Sequence, residues 1–123
     1  MLITILMLSL NSWAYTPDPR LQIPSVAECT QKARAIMPSE MNVGPLNEQS
    51  LVTACRDSDP DCVAQIGESL HPKEKPSRDD YLKLIKACHG REMGKCFRFA
   101  KDSVPSFNRQ EVSQLLALLQ KCE

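Results

Sequence analysis

Aromatic side chains are scarce in this chain, with three Phe, two Tyr and one Trp in 123 residues, so a core built on large rings is excluded and something else must supply cohesion. Net charge is missing as well. Fifteen basic residues balance fifteen acidic ones, which predicts no attraction for nucleic acid or other polyanions. No nucleophile elbow, phosphate loop or dinucleotide fingerprint occurs, and His71 and His89 stand without a nucleophile or carboxylate at a diagnostic spacing. The expectation is therefore a chain that is not an enzyme and carries no cofactor.

No apolar run reaches the ~20 residues needed to cross a bilayer. The uncharged opening stretch MLITILMLSL is followed by Ser12-Trp13-Ala14, small residues at the two positions a signal peptidase reads. Residues 1–14 are therefore expected to be a signal peptide, although no Lys or Arg precedes the apolar run. No cysteine follows it to accept a lipid, and no stable membrane anchoring is expected after cleavage. About 109 residues then remain, one domain's worth.

What the chain has is six cysteines: Cys29, Cys55, Cys62, Cys88, Cys96 and Cys122. Three separations, Cys29 to Cys55, Cys62 to Cys88 and Cys96 to Cys122, each enclose twenty-five residues, while the links after Cys55 and Cys88 hold six and seven. Equal spacing in three places predicts one supersecondary unit used three times. Apolar positions travel with the cysteines. Four residues after the first cysteine of each unit stand Ala33, Ile66 and Ala100, and eight after stand Met37, Leu70 and Val104. Four and three before the second cysteine stand Leu51-Val52, Leu84-Ile85 and Leu118-Leu119.

Residues 15–24, YTPDPRLQIP, carry three prolines after Tyr15 and predict an extended arm. Residues 25–123 read as a single helical domain with hairpins at about 25–55, 59–88 and 91–122. Ser25 to Glu28 is a capping-box pattern that predicts a helix start, and Pro38 a stop. Asn47 is the expected cap of the second helix, Asp59 with Pro60 that of the third, Ser77 to Asp80 that of the fourth, and Asn108 to Glu111 that of the sixth. The loop KEKPSR reads as charged and exposed. The fold class expected is all-α: three disulfide-stapled antiparallel helical hairpins stacked as a short α/α solenoid.

In such a hairpin the start of the first helix lies beside the end of the second, so each unit's two cysteines meet at its open end. That pairing uses all six. Pairs across the short links, Cys55 with Cys62 and Cys88 with Cys96, are also sterically possible but strand Cys29 and Cys122. An even cysteine count behind an export signal predicts a secreted or periplasmic protein, since disulfides persist in oxidising compartments. The stretch LIKACHGREMGKCFRF, a helix-end cysteine, short link and helix-start cysteine, resembles the junctions of secreted cysteine-rich Sel1-like repeat proteins. The resemblance implies a right-handed solenoid used for binding partners.

Two metal patterns have ordinary counterparts. Asp57, Asp59 and Asp61 alternate, with Glu68 eleven residues after Asp57 as in a calcium loop, but Cys62 stands where the turn needs glycine and Pro60 starts a helix. These acids read instead as favourable charges at a helix N-terminus. Cys88-His89 with Cys55, Cys62 and Cys96 lacks the close spacing of structural zinc ligands, and His89 reads as a dipole partner at a helix C-terminus. No metal is expected.

The surface candidate is a basic stripe. Arg91, Lys95, Arg98 and Lys101 share one side of a helical pattern whose other side is Met93, Phe97, Ala100 and Val104. Its plain reading is a solvated face and its sharper one a docking surface for an acidic partner or an anionic envelope surface. No aromatic interleaves with the charges, so nucleic-acid stacking is not supported. The functional expectation is an exported protein-binding module, with a secreted carrier of a small apolar ligand, or a secreted inhibitor or effector acting on an enzyme, as alternatives.

Overall fold

Proline begins more of the helices than the sequence patterns suggest. The computed structural model describes residues 18–42, 44–104 and 111–122. The first helix, α1, spans Pro24–Ile36, with Ile23 as the half-helical residue before it and Pro24 at the first helical position. Ser25 lies inside the helix and caps nothing, a correction to the expected capping box. The second helix, α2, spans Pro45–Cys55 behind Gly44, whose φ is +94°, so Asn47 is likewise internal rather than a cap. In both places the fixed φ of proline is already helical, and its missing N–H is one that a helix start leaves unpaired in any case.

The third and fourth helices start as the sequence predicts. In α3, Pro60–Ser69, the Asp59 carboxylate accepts from the Asp61 N–H at 3.1 Å. In α4, Arg78–Ala87, Ser77 Oγ accepts from the Asp80 N–H at 3.1 Å while Asp80 Oδ2 accepts from the Ser77 N–H at 3.0 Å. The last two helices are α5, Met93–Asp102, and α6, Val112–Gln120. Glu111 stands immediately before α6, and Gln114 Oε1 accepts its N–H at 2.8 Å. The cap expected at Asn108 and the segment expected to be a signal both lie outside the described residues.

These helices form the three expected hairpins, α1–α2, α3–α4 and α5–α6. First helices stack on first helices in the order α1, α3, α5, and second helices on second helices in the order α2, α4, α6, giving two helical layers. Each hairpin is closed by one disulfide: Cys29–Cys55, Cys62–Cys88 and Cys96–Cys122, with Cα separations of 5.6, 5.6 and 5.8 Å. Pairing across the links is thereby excluded. Between the layers lie Val52, Val63, Ile66, Leu84, Ile85, Leu115 and Leu119, all fully buried, and Phe97 is the largest of the sealed side chains. Aliphatic groups and sulfur do the work that rings do elsewhere. Fully burying one such side chain contributes about 1.5–3 kcal/mol, so this core outweighs any single polar contact described below.

An arm expected to be extended and a loop expected to be exposed are both tied down. The arm is not extended throughout: Pro19–Gln22 form a 3₁₀ turn on the outer side of α1, capped by Asp18, with Leu21 against the core. Arg20 holds that turn through the Asp18 carboxylate at 2.8 Å and through Thr53 Oγ1 of α2 at 3.1 Å. The Arg20 guanidinium bonded to it keeps the Asp18 carboxyl below its ordinary range. The KEKPSR loop buries Pro76, sends Arg78 to the carbonyl of Asn47 at 3.2 Å, and uses Glu74 to accept the first N–H of α6 at 3.2 Å. A loop read as solvated charge therefore ties the second hairpin to both of its neighbours.

Candidate functional site

Disulfides and hairpin links gather at one end of the stack, where the first helices begin and the second helices end. The two links lie against each other as a single antiparallel bridge, Ser58 opposite His89. The Asp59 N–H donates to the Cys88 carbonyl at 2.9 Å and the Gly90 N–H to the Asp57 carbonyl at 2.9 Å. Ser58, buried, donates its hydroxyl to the carbonyls of Ala54 and Ile85, both at 2.9 Å. Link geometry is repeated: two residues beyond the closing cysteine of each of the first two hairpins, the backbone turns left-handed, at Asp57 with φ 62° and at Gly90 with φ 105°. Such turns suit glycine and are tolerated by aspartate.

The same end brings α5 onto α3. Gly94, in the first turn of α5, donates its N–H to Asp59 Oδ2 at 2.7 Å, and its carbonyl accepts from Gln65 Nε2 at 2.9 Å. A Cβ at Gly94 would collide with the Asp61 carboxylate, so the absence of a side chain is what permits this approach. Gly67 plays the same part beneath Ile36 at the α1–α3 crossing. Gln65 is buried and also donates to Asp61 Oδ2 at 3.1 Å.

Around these contacts opens a groove of about 780 Å³ whose lining includes Ser25, Asp57, Asp59, Asp61, Arg91, Glu92 and Lys95. The acidic run is thus gathered here, with the carboxylates of Asp59 and Asp61 engaged in the fold. Asp59 caps α3 and holds Gly94, and Asp61 binds Gln65 and Arg98. Asp57 faces solvent, 3.8 Å from Arg56. Among the described residues no three His, Cys, Asp or Glu side chains are grouped to hold a metal ion. All four cysteines of the zinc-like pattern are in disulfides, and the His89 ring nitrogen Nδ1 lies 3.0 Å from the Lys86 carbonyl, to which it donates at the end of α4.

The basic stripe is divided by the fold. Lys95 pairs with Glu92 at 3.3 Å, Arg98 reaches across to Asp61 at 3.4 Å, and Lys101 donates to the buried Ser69 of α3 at 3.3 Å. Lys101 also lies over the Phe97 ring, 4.7 Å from its centroid, and burial lowers its pKa from the ordinary lysine value. Arg98 and Lys101 therefore lean onto the second hairpin. Arg91, in the turn before α5, is the one member of the stripe with no ion pair or hydrogen bond from its side chain among the described residues, and it lines the groove with Lys95.

No family model, curated protein or solved structure matches this chain. Sequence reasoning missed the groove because it is assembled from two links and the start of α1. A signal for the close approach of α5 to α3 was nonetheless present in Gly94, a glycine two residues before a helix-start cysteine.

Proposed function

We propose that the chain is an exported protein-binding module whose contact surface centres on Arg91 at the groove formed by the hairpin links. The single observation that carries the reading is that Arg91 alone in the basic stripe keeps an uncommitted guanidinium, on a rim fixed by two disulfide-closed hairpins. A guanidinium presents a planar fork of donors that fits a carboxylate with two parallel bonds, so the partner expected is a protein with an acidic side chain at its contact centre. An enzyme inhibited by the chain would be one such partner. Export is supported by three intramolecular disulfides, which persist in an oxidising compartment, together with the signal-like residues 1–14.

Rigid framing matters because a contact residue on a pinned turn loses little freedom when it binds. The test immobilises the protein with its disulfides intact and recovers partners from the extracellular or periplasmic fraction at low salt. Wild type is compared with Arg91→Glu and with Lys32→Glu, a charge reversal on the exposed face of α1. Recovery should fall with Arg91→Glu and persist with Lys32→Glu. Equal recovery by wild type and Arg91→Glu contradicts the assignment.

A further inference from the structure

The three bridges are unequally sealed. Cys29, Cys55, Cys62 and Cys88 are at most 1% exposed, whereas Cys96 and Cys122 are only partly buried. Position in the stack explains the difference. The 3₁₀ turn at Pro19–Gln22 covers α1, the second hairpin lies between two others, and α5 and α6 end the stack with no further helix beyond them among the described residues. Over the third bridge opens a cleft of about 260 Å³ lined by both of its cysteines together with Phe99, Ala100 and Lys121. Phe99 is 74% exposed, so an apolar ring stands at the rim, and Lys121 places a cation next to Cys122.

We propose that Cys96–Cys122 is a thiol-exchange site for a low-molecular-weight thiolate that enters the cleft past Phe99 and is attracted by Lys121. Exchange requires a thiolate to reach a disulfide sulfur, and access is one of the factors that set its rate. The four sealed sulfurs are reached only when the fold opens. At the third bridge the incoming sulfur bonds to one cysteine sulfur, the S–S bond breaks, and its electron pair leaves on the other cysteine as a thiolate that takes a proton from water. A second thiolate attacking the mixed disulfide releases the second cysteine and forms the oxidised thiol dimer, so both electrons come from the added thiol. Leu115, Leu118 and Leu119 stay buried against the other helices, which holds α6 in place while the bridge is open.

The experiment exposes the native, fully oxidised protein to glutathione at mildly alkaline pH, blocks free thiols by alkylation at intervals, and maps modified cysteines by mass spectrometry. Cys96 and Cys122 should be modified at least ~tenfold sooner than the other four. Opening of either other bridge first, or of all three together, overturns the proposal, because it would place the reaction behind unfolding. The entry route is tested with Lys121→Glu, whose helical circular dichroism should match wild type. Reversal of that charge should slow glutathione, which carries extra carboxylates, several-fold more than it slows 2-mercaptoethanol. Equal rates for the two thiols relative to wild type contradict entry beside Lys121.

Discussion

Replacing Gly94 by Ala distinguishes this architecture from a generic helical hairpin. On an isolated helix the change is stabilising, by up to about 1 kcal/mol. Here the new methyl would stand 2.8 Å from Asp61 Cγ and 2.9 Å from Asp61 Cβ. A carboxylate can rotate away, but a Cβ fixed to the backbone of α3 cannot, so α5 must retreat. Overpacking of that kind costs about 1–3 kcal/mol. Retreat also stretches the 2.7 Å bond from the Gly94 N–H to Asp59 and the 2.9 Å bond from Gln65 to the Gly94 carbonyl. A hydrogen bond to a charged group contributes about 1.5–3 kcal/mol. Setting the helix-propensity gain against these terms leaves a net loss of about 2–4 kcal/mol, or roughly 10–30 °C in melting temperature for a domain of this size. Thermal melts followed by circular dichroism, with disulfides intact, measure it. A melting temperature equal to or above that of wild type would refute the close crossing of α5 on α3.

Three smaller perturbations probe the remaining features. Gly90→Ala should cost about 1–2 kcal/mol from backbone strain alone, since φ is 105° and the new methyl meets only Met93 Cγ at 3.7 Å; Asp57→Gly, at the matching place in the other link, should be neutral or slightly stabilising. Ser77→Ala should lose about 1 kcal/mol in denaturant unfolding through the start of α4, because the hydroxyl that accepts the Asp80 N–H disappears while the bond from the Ser77 backbone N–H to Asp80 remains. Tyr81 is buried, which raises its phenol pKa above the ordinary 10.0, so the folded state holds that proton more tightly than the unfolded one. Its contribution is complete below pH 10.0 and is lost as pH rises through the folded value, and Tyr81→Phe should flatten the alkaline fall in the urea midpoint.

Much of the frame was legible because it depends on local spacing. Equal cysteine separations predicted the hairpins and their bridges, and Asp59-Pro60 and Ser77-Asp80 marked helix starts that the structure keeps. Helix starts at Ser25 and Asn47 were misplaced because a proline one or two residues earlier already imposed the helical φ, leaving those polar side chains inside the helix. The 3₁₀ turn in the arm is closed locally by Asp18 and Arg20, but its anchoring to α2 depends on Arg20 finding Thr53, thirty-three residues away, which no local pattern encodes. The candidate site shows the same divide. A helical wheel placed Arg91, Lys95, Arg98 and Lys101 on one side, but only the stacking of α5 on α3 decides that Arg98 meets Asp61 and Lys101 meets Ser69 while Arg91 stays uncommitted. The third hairpin, with the cleanest amphipathic pattern, has the least covered bridge because it has one neighbour rather than two.

The most direct test of the three-hairpin frame is the connectivity of its disulfides in the native protein. Proteolysis without reduction, at a pH low enough to suppress exchange, followed by mass spectrometry of the linked peptides reads it. The structure predicts three linked pairs, Cys29 with Cys55, Cys62 with Cys88 and Cys96 with Cys122. Recovery of Cys55 linked to Cys62, or of Cys88 linked to Cys96, would contradict the stack of closed hairpins and with it the groove on which the proposed function rests.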